Sequence, residues 1–207
     1  MTLKERFGIL IKKYIINDEL IDTLWLEIKE KYSEKHRAYH NLNHLEEIFR
    51  YYDSYKDKLE QPDLICFSIF YHDVIYGVWK KDNEEKSADF ALLKLSNILS
   101  TSELTSITNQ IITTKTHESL NNDTQFLLDF DLAILGQSPS IYKEYLQKIR
   151  KEYKSVPNFI YKKGRKKVLQ HFIDKPFIYK TPEFIDLYEL QAKQNLKQEL
   201  NFLKNGI

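Results

Sequence analysis

The sequence is poor in the residues that cross-link and punctuate small folds. It has one cysteine, Cys66, among 207 residues, so no intramolecular disulfide can form and a reducing cytosol is the expected compartment. Five glycines and five prolines are too few for a β-rich fold, which needs turn residues every roughly 8–12 positions. Neither sign of charge dominates. The 31 Lys+Arg against 30 Asp+Glu leave a formal net charge of +1, so no global field draws in nucleic acid or an acidic membrane. No run approaches the roughly 18 consecutive apolar residues of a membrane span. The first residues, Met1-Thr2-Leu3-Lys4-Glu5-Arg6, lack the apolar core and small-residue cleavage site of a secretory signal.

What remains is a chain that is 42% hydrophobic and 29% charged, long enough to bury a core without staples. Apolar residues recur at three and four positions nearly throughout. Phe7, Leu10, Ile11, Tyr14 and Ile15 form one stripe; Leu20, Ile21, Leu24, Trp25 and Ile28 form the next, after an Asp18 placed to cap it. Asn41 or Asn43 is placed to cap a helix with the stripe Leu45, Ile48, Phe49 and Tyr52. Pro62 suits the first turn of a helix running to Tyr76, and Tyr76 to Asn83 reads as a loop. Further helices are expected at about 84–99, 102–115, 122–135, 139–154, 159–174 and 182–204. No fixed-period repeat or low-complexity linker divides the chain. The expected fold is one all-α helical domain over 1–207, with a motif-bearing core at about 25–136 and a helical extension at about 137–207.

Three places set ionisable groups against an apolar stripe, where burial is costly unless the groups are paired or bind a metal. His72 and Asp73 share a face with Ile65 and Ile69. Asp129 and Asp131 lie in Phe126-Leu127-Leu128-Asp129-Phe130-Asp131-Leu132-Ala133-Ile134-Leu135, about 200° apart on a helical wheel, so they cannot both face one site. His40 and His44 stand at i, i+4 around a helix start. Each place alone has an ordinary structural reading. Together His44, His72, Asp73 and Asp131 make a set of imidazoles and carboxylates suited to a divalent metal: Mn, Fe, Co, Ni, Zn or, less well, Mg. Cys66 is expected to be a small buried thiol outside this set.

The order of these motifs resembles the HD-domain superfamily of metal-dependent phosphohydrolases. The stretches Tyr39-His40-Asn41-Leu42-Asn43-His44, Tyr71-His72-Asp73-Val74-Ile75-Tyr76, Asn83-Glu84-Glu85-Lys86-Ser87-Ala88 and Leu128-Asp129-Phe130-Asp131-Leu132-Ala133-Ile134-Leu135-Gly136 are similar to one subgroup of predicted phosphohydrolases. So are Tyr161-Lys162-Lys163-Gly164-Arg165 and Asn195-Leu196-Lys197-Gln198-Glu199-Leu200, so the similarity covers about residues 25–203. The resemblance places the metal ligands at His44, His72, Asp73 and Asp131, preferring Asp131 to Asp129 because the family's aspartate precedes the Leu-Ala-Ile-Leu-Gly stretch. It implies one divalent ion, leaves room for a second, and implies hydrolysis of a phosphoester of a small molecule, by family habit a nucleotide.

Several side chains near the motifs are candidates for the rest of the chemistry. Arg37, Lys115, His117 and, more distantly, Arg165 are cations suited to a phosphate. Asp73, Glu84 (or its neighbour Glu85) and His117 are the catalytic candidates, for holding metal, orienting water or moving a proton. Tyr39, Tyr71 and Trp79 are placed to stack a base. The Lys-rich stretch 162–167 is read as a solvated helix face. Two other functions fit the same residues. One is a sensor that binds metal and nucleotide without turnover; the other is a helical interaction module without metal. A diiron centre using O2 is a further variant that needs ligands beyond the four.

Overall fold

The computed structural model describes residues 1–205, and among these every regular element is a helix. The ten α-helices are α1 (Leu3–Ile11), α2 (Asp18–Tyr32), α3 (Leu42–Tyr55), α4 (Pro62–Tyr71), α5 (Asn83–Leu95), α6 (Thr101–Thr113), α7 (Asn122–Leu132), α8 (Pro139–Glu152), α9 (Asn158–Asp174) and α10 (Pro182–Asn205). Short 3₁₀ turns follow α3, α7 and α8. None of the described helices is long and apolar enough to cross a membrane. The chain forms two compact units, one from Met1 to Leu127 and the other from Leu128 onward. The all-α expectation is met, and the helix boundaries from residue 83 on fall within a few residues of the periodicity.

In the first unit α4 is the central rod. All of its residues from Leu64 to Tyr71 are buried, which is why its sequence is a nearly continuous apolar run. Phe70 collects the neighbouring helices by its ring. Phe7 of α1 and Trp25 of α2 meet it edge-on at 5.2 and 6.4 Å, and Phe49 of α3 meets it tilted at 4.7 Å. Ser68, buried on the rod, donates to Gln110 Oε1 of α6 at 2.6 Å, so neither is left unpaired in the core. The start of α4 has no capping side chain of its own. Asp123 of α7 supplies one, accepting from the backbone N–H groups of Glu60 and Gln61 at 2.9 and 2.7 Å.

Two local readings change, and one open choice is settled. Asn17, not Asp18, caps α2, accepting from Leu20 N at 3.0 Å. Of Asn41 and Asn43, Asn41 is the cap of α3, and Asn43 lies in its first turn. The helix expected to run to Tyr76 stops at Tyr71, for a reason that lies in the site described below.

The second unit is organised by buried polar anchors. Asp129, fully buried, accepts from the N–H groups of Lys180 and Thr181 and from the Thr181 hydroxyl at 2.7, 2.7 and 2.6 Å, closing the turn that enters α10. Burial pushes its carboxyl up to about 6, while the three donors pull the other way. The Asn195 amide donates to the carbonyls of Leu135 and Gln137, both at 2.8 Å, and the Tyr179 hydroxyl donates to that of Leu132 at 3.1 Å. These bonds pin the turn that ends α7. Gly136 sits in that turn because nothing larger fits. A Cβ there would stand 2.5 Å from Tyr188 Cβ and 2.8 Å from the Tyr188 carbonyl oxygen.

Candidate metal centre

The site in the first unit is built on the early end of α4. His72 has helical backbone angles and still bonds to Ser68 O, but its ring turns back so that Nδ1 meets the Ile69 carbonyl at 2.9 Å. The carbonyls of Asp73 and Val74, in the turn just past the helix, are taken by Arg37. Its Nη1 donates to Asp73 O at 2.6 Å and to His40 O at 3.2 Å; its Nη2 donates to Val74 O at 3.0 Å. One guanidinium from the loop between α2 and α3 thus ties that loop to the segment just after α4. Asp73 N is held by the Tyr32 hydroxyl at 3.2 Å. Because the backbone leaves the helix at His72, the Asp73 carboxylate swings toward the imidazoles instead of standing one step around the helix from His72.

The result is a carboxylate oxygen facing three imidazoles. Asp73 Oδ2 lies 3.3 Å from His72 Nε2 and 4.0 Å from the Nε2 atoms of both His44 and His40. His44 Nε2 and His72 Nε2 are 3.4 Å apart. His44 and His72, together with Asp131, each offer one ligand atom, and these three atoms lie within 4.8 Å of one another. His44 and His72 are buried, at 2% and 1% exposure; Asp73 is 16% exposed at its side chain.

These groups fit a cation. A carbonyl oxygen can only accept, so the hydrogen bond to Ile69 puts the proton of neutral His72 on Nδ1 and a lone pair on Nε2. That lone pair stands 3.4 Å from His44 Nε2 and 3.3 Å from Asp73 Oδ2, close enough for one cation to meet all three atoms. Two nitrogen ligands at ordinary metal–nitrogen distances in tetrahedral array stand about 3.4 Å apart, close to the separation seen here. The backbone bond to Nδ1 is also how proteins fix the tautomer and aim of a ligating histidine. The donor set, imidazole and carboxylate without thiolate, suits a first-row divalent ion.

Asp129 and Asp131 serve opposite purposes, as their separation around the helix requires. Asp129 caps α10, and Asp131 joins the group of possible ligands. The other expected site residues are spread more widely. Arg37 is wholly buried and spends its nitrogens on Glu34 and three backbone carbonyls, between the rings of Tyr32 and Tyr76. It clamps the site rather than projecting from it. Lys115 is paired with Glu85 and donates to Lys81 O at 2.8 Å; the pairing raises the lysine's pKa and lowers the glutamate's. Glu84 stands beside Glu85 in the first turn of α5. His117 follows α6 in the left-handed region, φ 54°, a position helix ends usually give to glycine. Arg165 belongs to the second unit, bound through two nitrogens to Glu199 at 2.7 and 2.9 Å. Of the three aromatics proposed for base stacking, Tyr71 and Tyr39 are core residues, and only Trp79 is exposed.

His40 has no role in the sequence beyond its spacing to His44, yet its ring stands 4.0 Å from the Asp73 carboxylate. The signal was present in the i, i+4 pair, but spacing alone does not separate a turn histidine from a site histidine. Compared with protein-family models, curated proteins and solved structures, the chain gives no match in any of the three.

Proposed function

We propose that this protein is a metal-dependent phosphohydrolase of the HD-domain kind, acting on a small phosphorylated molecule, with a nucleotide as the leading substrate class. The observation that carries the reading is the convergence of the His44 and His72 Nε2 atoms and Asp73 Oδ2, with Asp131 in reach of both histidines. The order in which these residues occur along the chain supports the family assignment. His44, His72, Asp73 and Asp131 are the residues that would hold the ion. A divalent cation in such a donor set supplies charge for phosphoryl oxygens and makes water more acidic, the two things phosphoester hydrolysis most needs.

The protein's own residues prepare that chemistry. The Ile69 carbonyl aims His72, and the Arg37 clamp with the Tyr32 hydroxyl fixes the backbone on either side of the Asp73 side chain. Burial of His44 and His72 keeps water from competing on the inner side, while Asp73 opens toward solvent. Trp79, exposed in the loop after this segment, is the one of the three candidate aromatics free of the core to meet a base.

The test is turnover of a phosphomonoester and phosphodiester panel, nucleotides included, with Mn²⁺, Co²⁺ or Ni²⁺. The reading expects release of phosphate or alcohol by wild-type protein and a loss of at least about 10²-fold in Asp73→Ala. Tight metal binding with no turnover across the panel would move the assignment to a non-catalytic sensor.

A further inference from the structure

The near-zero net charge conceals a division along the chain. From Leu128 onward, the second unit carries fifteen lysines and arginines against nine aspartates and glutamates, whereas the first carries sixteen against twenty-one. The basic excess is concentrated in residues 143–167, where ten lysines and arginines stand beside only two acids, Glu144 and Glu152. Glu152 is buried, so it presents no charge at the surface.

Part of this excess lines a groove of about 780 Å³ formed by α8, the 3₁₀ turn after it and the end of α10. Lys143, Arg150, Lys151 and Lys154 supply its charge, and no carboxylate lines it among the described residues. Leu146 and Phe202 supply apolar surface, and most of the lining is carbon. The three lysines are exposed, and Phe202 is 62% exposed. Arg150 is held in place, its guanidinium over the Tyr161 ring at 4.8 Å and donating to Tyr153 O at 2.7 Å. Lys143, Leu146 and Arg150 follow one another at three and four residues, so they share a face of α8, beside the buried face of Tyr142, Tyr145 and Ile149.

A stripe of lysines on a helix is by itself an ordinary solvated face. Here the cations border apolar surface in a concavity, and that combination selects the occupant. A bilayer is engaged by apolar side chains that project into it, not by a groove. A nucleic-acid strand needs rings on which successive bases stack, and this groove offers one, Phe202. An amphipathic helix carries carboxylates and apolar anchors together at three- and four-residue spacing. The wall it would meet is itself a helix with cations and an apolar residue at that spacing. From Lys143 to Lys151 the wall runs roughly 12 Å, enough to face two turns of a partner helix.

We propose that this groove docks an acidic amphipathic helix of a partner protein, with Asp and Glu side chains facing Lys143, Arg150, Lys151 and Lys154 and apolar anchors on Leu146 and Phe202. The assignment stands apart from the phosphohydrolase reading, because none of these residues is a proposed metal ligand. Exposed charge pairs set orientation and association rate more than affinity, so binding needs the apolar anchors as well as the charge.

The test is fluorescence anisotropy with full-length protein and four labelled probes. The first is a synthetic 16-residue helix-forming peptide with Glu and Leu placed on one face at three- and four-residue spacing. The second has the same composition scrambled around the helix. The third is a single-stranded oligothymidylate, and the fourth is vesicles of phosphatidylcholine and phosphatidylserine. The patterned peptide is expected to bind about tenfold or more tightly than the scrambled one, and to weaken as salt is raised. Lys151→Glu with Lys154→Glu is expected to lose about tenfold or more of that binding, and Phe202→Ala a comparable amount. All three side chains are exposed, so both variants should keep the wild-type circular dichroism and melting temperature. Equal binding of patterned and scrambled peptides overturns the proposal, as does unchanged binding by either variant. Failure of the patterned peptide to bind also overturns it. Tighter binding of the oligonucleotide or the vesicles, lost in the charge-reversed variant, overturns it in favour of that partner.

Discussion

Arg37 shows how far a residue's type underdetermines its task. In the sequence it is a cation three positions before His40, a reasonable partner for phosphate. In the fold it holds the loop carrying His40 to the segment carrying Asp73. Arg37→Ala should therefore destabilise the protein by roughly 2–4 kcal/mol in urea unfolding and weaken metal binding as well. Arg37→Lys should rescue little, because one ammonium cannot span three carbonyls. An Arg37→Ala protein of wild-type stability would contradict the clamp. Cys66 gives a simpler residue-scale expectation. Burial pushes its thiol pKa up, so the folded protein should resist a thiol reagent at pH 8, with labelling appearing only as the protein unfolds. What the sequence showed at this scale was donor chemistry: His44, His72, Asp73 and Asp131 are legible as a set. Which cation is a clamp, and which histidine reaches the carboxylate, depends on backbone turns that have no sequence pattern of their own.

At the scale of elements, the helices were legible because the apolar stripe and the caps agree along most of the chain. Asn122–Leu132 and Pro182–Asn205 lie within a few residues of their expected spans. The exception, α4, ends early because long-range partners outbid the local pattern: the apolar residues continue past Tyr71, but the groups that another turn would pair are taken elsewhere, the Ile69 carbonyl by the His72 ring and the N–H groups of Asp73 and Ile75 by the hydroxyls of Tyr32 and Ser87. Gly136 reads as punctuation in the sequence, whereas the fold uses it to let the turn after α7 lie against α10. Gly136→Ala should cost about 1–3 kcal/mol through overpacking against Tyr188, measured by chemical unfolding; a neutral effect would mean that α10 can shift without strain.

The same element scale separates Arg165 from substrate binding. Its guanidinium and Glu199 are both nearly buried, and the Tyr142 hydroxyl adds a donor to the same carboxylate at 2.5 Å. Arg165→Ala should lower stability by about 3–5 kcal/mol because it strands a buried charge, while the double change Arg165→Met with Glu199→Leu should recover most of the loss. Thermal unfolding of the two variants decides it. If Arg165→Ala instead keeps full stability and loses only activity, Arg165 belongs to the site.

For the whole molecule, the account makes stability depend on the ion. An ion that binds His44, His72 and Asp73 in the folded chain and not in the unfolded one adds its binding free energy to the fold, so metal binding should appear as added stability. The most direct measurement is elemental analysis of wild-type protein beside Asp73→Ala, both purified without added metal and then equilibrated with Mn²⁺ and desalted. The account predicts about one divalent ion per wild-type chain and a loss of most of it in the variant. Equal, trace metal in both proteins would contradict it.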